Sequence, residues 1–246
     1  METPCSDFRP GLPLYTFRLG SRAGQRPPVH EVAAVVGAVT PSFTLTPGEG
    51  WFRGEVDPGW AITVAHADHE TMARLADALR AIFEQEGIGI EAFGRYLSCR
   101  ADRGPELLAA ELWGLRYGFY PAYLRTRFLV DTPPPNTPAC FALITGYATT
   151  GETWADTQNR AADERLRLEL VKRGVWHHRI SGVSPDGLHS EAGWMAGLDL
   201  AAARRLGADF RQDAIYWIEA GEHLSVHDCQ SLRKAPVGHF AYTVGA

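Results

Sequence analysis

Phe83-Glu84-Gln85-Glu86-Gly87-Ile88 returns 127 residues later as Phe210-Arg211-Gln212-Asp213-Ala214-Ile215. At the same offset Leu79 meets Leu206, Ala81 meets Ala208, Gly94 meets Gly221, and Leu97-Ser98 meets Leu224-Ser225, with no gap needed. Eight of the twenty positions from Leu79 to Ser98 are therefore identical, where unrelated segments share roughly one, and an internal duplication is the economical explanation.

Working outward, each copy closes an apolar-periodic run and opens a β-rich one. Met72, Leu75, Leu79 and Ile82 form the stripe of a helix with Asp68 as N-cap, Phe83 near its end and Gly87 beyond it. Before it, Leu14 to Leu19 reads as a strand. Val29 to Val39 reads as a helix whose Val32, Val35, Val36 and Val39 face one way, and whose four valines make burial its stabiliser. Phe43 to Thr46 is a strand leading into a Gly-rich loop or ribbon, Trp60 to Ala65 a second strand, and Ile88 to Leu97 a last strand or hairpin. The order β-α-β-β-α-β is that of a ferredoxin-like half, with helices on one face of an antiparallel sheet.

The second half repeats the order. Tyr123 to Val130 and Phe141 to Thr145 read as strands, with an exposed loop from Asp131 to Pro138 between them. Thr157 to Arg173 is a helix with Leu166, Leu170 and Val171 inward. Val175 to Ile180 is a strand, Ser184-Pro185-Asp186-Gly187 a turn, and Gly193-Trp194 to Leu198 mirrors Gly59-Trp60 and its strand. Trp194 precedes Phe210 by seven fewer residues than Trp60 precedes Phe83, which predicts a helix two turns shorter in the second half. Pro105 to Leu115 reads as a linking helix packed between the halves. The expected fold is thus α+β, with two tandem ferredoxin-like (βαββαβ) halves with antiparallel sheets, related by internal duplication: 1–103, a linking helix within 104–122, and 123–246.

From about Tyr123 to Ser225 the chain resembles an uncharacterised bacterial family, domain of unknown function 3293. The resemblance is carried by Ala122-Tyr123, Thr126 and Phe128, Ile144-Thr145-Gly146, Asn159-Arg160 with Leu166 and Leu170, Pro185-Asp186-Gly187, Glu191, and Leu206-Gly207 through Phe210 to Ile215. It implies kinship and no activity. The family has Asn-Pro where this chain has Tyr147-Ala148-Thr149, and Gln-Asn where it has Gln212-Asp213. If those asparagines serve a ligand, the departure implies an altered or absent site.

Composition excludes some classes. A formal charge of −5 supplies no global basic field for nucleic acid, and no run of about 18 apolar residues indicates a membrane span. With no basic and apolar leader after Met1, the expected location is cytoplasmic. Cys5, Cys99, Cys140 and Cys229 form no C-x-x-C pair, so free thiols are expected rather than a zinc ribbon or disulfide framework. No G-x-S-x-G, P-loop or dinucleotide fingerprint appears. Neither a cofactor nor a resident metal is expected.

The chemistry-bearing candidates cluster in the second half. His178, His189, Glu191 and His223 are candidate catalytic residues, since imidazole and carboxylate suit proton transfer or zinc. His177 and His178 point to opposite faces of one strand, whereas His223 and His227 share a face. Thr145, Asn159, Arg160, Gln212 and Asp213 are candidate ligand-binding residues. Gln85 and Gln212 also have a structural role open to them, tying backbone groups where helix meets strand. Arg125, Arg127, Arg160, Arg165 and Arg179 offer planar forks for a phosphate or carboxylate. The expected function is a non-catalytic small-molecule-binding, regulatory or protein-interaction module. The alternative is a small-molecule enzyme, hydrolytic or metal-assisted, with a His/Glu site in the second half.

Overall fold

Asp68 sits where an N-cap is needed, its carboxylate accepting from the backbone N–H groups of Glu70 and Thr71 at 3.1 Å each. The helix it starts, and every element below, comes from a computed structural model that describes residues 11–52, 55–149 and 151–245. Cys5, and Arg53-Gly54 of the Gly-rich stretch, lie outside the described residues. The chain is α+β and divides into two units, Met1–Arg116 and Tyr117–Ala246.

The first unit runs β1 (Leu14–Leu19), α1 (Val29–Gly37), β2 (Phe43–Phe52), β3 (Glu55–Ala65), α2 (His69–Ile82), β4 (Gly87–Ala92), β5 (Arg95–Arg100), α3 (Gly104–Tyr117). Its sheet has the order β2-β3-β1-β4-β5 and is antiparallel throughout. Alternation along β1 buries Tyr15, Phe17 and Leu19 against Val32 and Val36 of α1 and Met72, Leu75 and Leu79 of α2. α1 has no side-chain cap. Burying each of two valines contributes about 1.5–3 kcal/mol, which outweighs the few tenths that each β-branched residue costs a helix. Leu108, Ala109 and Leu112 of α3 join the same core, so the helix expected as a link belongs to the first unit.

Sequence expectations needed correcting in several places. Ile82 is 50% exposed, because the helix ends there and Phe83 becomes its C-cap; Gly87 already lies in β4. The Gly-rich stretch continues β2 as a ribbon paired with β3 as far as Phe52 and Glu55.

The second unit runs α4 (Ala122–Arg125), β6 (Arg127–Val130), β7 (Phe141–Thr145), α5 (Asp156–Lys172), β8 (His177–Val183), β9 (Ser190–Ala196), α6 (Leu200–Asp209), β10 (Ala214–Glu219), β11 (His223–Asp228), β12 (Lys234–His239), β13 (Thr243–Val244). The sheet order is β12-β11-β10-β7-β9-β8-β6-β13, antiparallel except between β6 and β13. Leu166 and Leu170 of α5 and Ala203 and Leu206 of α6 pack on Ala142, Ile144, Ala196 and Ile215. The opposite sheet face carries rings, with Phe128 5.2 Å from Tyr216 and Phe141 5.4 Å from Phe240. Tyr123 falls in the one-turn helix α4, not in a strand, and Val171 is 49% exposed.

Within the two sheets, β5-β4-β1-β3-β2 and β11-β10-β7-β9-β8 are the same sequence of strands in the same chain order. The helix ends match closely. Phe83 (φ −96°, ψ 14°) precedes Glu84 at φ 55°, and Phe210 (φ −92°, ψ 14°) precedes Arg211 at φ 59°. The seven-residue difference is shared: α2 has 14 residues and α6 has 10, and the rest is lost from the strand after the tryptophan. The echo breaks past the hairpin. Ala92 pairs with Arg95 across Phe93-Gly94, whereas Glu219 pairs with His223 across one residue more. That residue flips the alternation, so Leu97 joins the helix-side core while Leu224 lies opposite Ile218 on the other face.

Candidate functional site

The four candidate catalytic residues do not converge. His189 Nε2 lies 2.9 Å from Glu191 Oε1 on the exposed β8–β9 hairpin. His178 opposes Met195 while Glu191 opposes Gly182, four residues and about 13 Å along the same ladder. His178 Nε2 is 2.8 Å from the Thr132 carbonyl. His223 is on β11, three strands from β9 and about 14 Å across the sheet, beside His239. Among the described residues, no group of three His, Cys, Asp or Glu side chains is arranged to hold a metal ion.

Three ligand-binding candidates hold one loop instead. Thr145 Oγ1 donates to the Ala192 carbonyl and accepts from Tyr147 N, Asn159 Oδ1 accepts from Ala148 N, and Gln212 Nε2 donates to the carbonyls of Tyr147 (2.8 Å) and Phe210 (3.3 Å). Gln85 repeats the last pattern in the first unit, donating to Phe83 and Ser21 carbonyls at 2.9 Å. Both amides satisfy backbone acceptors that a helix end leaves unpaired. Arg160 is exposed on α5.

The arginines are dispersed. Arg179 Nη1 donates to both carboxylate oxygens of Asp163 (2.8 and 2.7 Å) and its guanidinium lies 4.8 Å over the Trp194 ring, whose Nε1 donates to the same carboxylate at 3.0 Å. Arg127 opposes Val183, about 13 Å along β8 from Arg179. Asp163, 9% exposed, escaped the sequence reading, although an acid on the Ala162–Leu166–Leu170 stripe is the signal that a buried charge needs a partner.

Of the five ligand-binding candidates, Asp213 faces a cavity. A pocket of about 570 Å³ is lined by Phe119, Tyr120, Tyr123, Asp213, Asp228 and Arg233, with Gly118, Ala214, Gln230 and Ser231 completing it. Asp228 organises one wall. Its Oδ1 accepts from Gln230 N (2.9 Å) and Ser231 N (2.6 Å), and its Oδ2 from Arg233 Nη2 (2.5 Å). Burial alone would raise this carboxyl, but the Ser231 N–H, the Arg233 guanidinium and the Gln230 N–H together bring it down to about 2. Arg233 lies 4.8 Å over the Phe119 ring. The neighbouring Cys229 thiol is pushed up to about 12 by burial and by the Asp228 and Asp213 carboxylates, so it stays protonated. Asp228 with acceptors aimed two and three residues on is an Asx turn, a pattern legible in Asp228-Cys229-Gln230-Ser231.

Among curated proteins no relative matches. One solved structure, a phage SAM lyase in complex with S-methyl-5'-thioadenosine, is similar at 16% identity over 37% of this chain and 91% of that chain, with a TM-score of 0.30. Residues 144–215, which include the loop after β7, α5 and the α6–β10 junction, match the model of a family described as "Protein of unknown function (DUF3293)".

Proposed function

We propose that this chain is a non-catalytic small-molecule-binding module, built from two ferredoxin-like halves that descend from a duplication, with its binding pocket in the second. The common strand order and the paired Gln85 and Gln212 contacts support the duplication. The observation that carries the binding reading is the 570 Å³ pocket, a concavity in which Phe119, Tyr120 and Tyr123 meet the charged groups of Asp213, Asp228 and Arg233. Asp228 is held ionised at about 2, so this wall of the pocket exchanges no proton through it near neutrality, which favours binding over proton transfer by that carboxylate.

Amide shift mapping of the full chain against a fragment library tests this. Perturbations are expected at Tyr120, Asp213, Ser231 and Arg233; hits clustering elsewhere would overturn the reading. A second reading, a small-molecule enzyme, is favoured by the His189–Glu191 hydrogen bond, which places an imidazole and an orienting carboxylate together. Turnover of a bound molecule, lost in His189→Ala and Glu191→Gln alike, would select it.

A further inference from the structure

We infer that the pocket of the second unit takes an organic cation, a small amine or quaternary ammonium with an apolar body, held by Asp213 and the aromatic walls. This rests on the reading of that pocket as a small-molecule site. Its lining carries two carboxylates and one guanidinium. Asp228 and Arg233 neutralise each other through the 2.5 Å contact, and Asp228 spends its other oxygen on two backbone N–H groups. Among the lining residues this leaves Asp213 with the unbalanced negative charge, while the Arg204 guanidinium behind the same wall is committed to the Asp228 and Ser231 carbonyls. Its exposed side chain makes no hydrogen bond or ion pair among the described residues.

The backbone that carries this carboxylate is nevertheless fixed. The Asp213 carbonyl accepts from Cys229 N at 2.9 Å, and the preceding Gln212 is clamped to the carbonyls of Phe210 and Tyr147. Arg233 lies over the Phe119 ring, while Tyr120, 59% exposed, lines the same pocket. An aromatic face attracts a cation through its quadrupole, most strongly where water is displaced. A neutral ligand covering Asp213 would desolvate the carboxylate without a partner, and an anion would face it directly; a cation alone offsets that cost. A metal ion is disfavoured, because hard divalent cations want about six oxygen ligands and the one uncommitted carboxylate here is Asp213.

Three probes of like shape separate the possibilities: phenethylamine, phenethyl alcohol and phenylacetate, titrated calorimetrically into the full chain near neutral pH. The amine should bind about tenfold or more tightly than the alcohol, with phenylacetate weakest. Asp213→Asn should lower the amine's affinity to that of the alcohol and leave the alcohol's affinity and the melting temperature unchanged, since the Asp213 side chain holds nothing in the fold. Tyr120→Ala should weaken the amine further. Equal affinities for amine and alcohol, or an amine preference that survives Asp213→Asn, would overturn the cation inference and leave the small-molecule reading standing. Failure of all three probes to bind would overturn both.

Discussion

At the residue scale, Gln212 and Gln85 illustrate how a repeated polar residue acquires a structural duty. Each amide bridges the carbonyl two residues back and a loop carbonyl just beyond β1 (Gln85) or β7 (Gln212). Removing either leaves two acceptors to find new donors. Gln212→Ala and Gln85→Ala are each expected to cost about 1–3 kcal/mol, read by urea denaturation, with the two effects similar in size. Asp228 and His227 contribute to the acid limb of stability, beside Asp68 and His69, whose carboxyl and imidazole are lowered as well. Asp228 is depressed to about 2 when folded, so its contribution is complete above about pH 4 and is lost as pH falls toward 2. Burial lowers the His227 imidazole, with Lys234 and Arg204 adding to it, so the folded chain keeps it neutral and pays for protonation as pH drops below about 6.5. A stability profile against pH should therefore fall in two windows. Asp228→Asn should make the lower one shallower and His227→Gln the upper, with Asp68 and His69 supplying the remainder.

At the scale of elements, hydrophobic periodicity located β1, α2, β7 and α5 within a few residues, because one face of each is buried and the sequence must show it. Ends were less legible. Ile82 and Val171 continue the periodicity of their helices, yet sit where the last turn leaves the core. Tyr123 has strand-like chemistry but lies in α4, where its carbonyl accepts from the Tyr216 hydroxyl. The hairpin after β10 is the sharper case: Leu97-Ser98 and Leu224-Ser225 align in sequence, and one added turn residue turns the leucines to opposite faces. Gly94 and Gly221 do hold equivalent places at φ 71° and 75°. A Cβ at either meets nothing within 4 Å, so Gly94→Ala and Gly221→Ala should each cost about 1 kcal/mol, from the left-handed backbone alone. A much larger loss by thermal denaturation would mean that the turns bear more than their own conformation.

At the scale of the molecule, each unit carries a core of its own, centred on Phe17, Ile62 and Leu79 in the first and on Ile144, Leu166 and Leu206 in the second. Residues 11–116 and 117–245, expressed separately, are each expected to unfold in a single cooperative urea transition. A broad, non-cooperative transition from either would show that it is not an independent folding unit. The sequence by itself determined the α+β class, the repeated helix-to-strand junction and the buried stripes, because these depend on local periodicity and on backbone groups that nearby side chains must satisfy. Tertiary structure alone decided which polar side chains meet. His178, His189, Glu191 and His223 look clustered along the chain, and the ladder register spreads them over about 13 Å or more. Asp213, Asp228, Arg233 and Phe119 look unrelated along the chain, and they meet because β10 and β11 pair while the segment before α4 lines the same cavity. Strand register and long-range packing are properties of pairs of segments, and no single stretch of sequence states them.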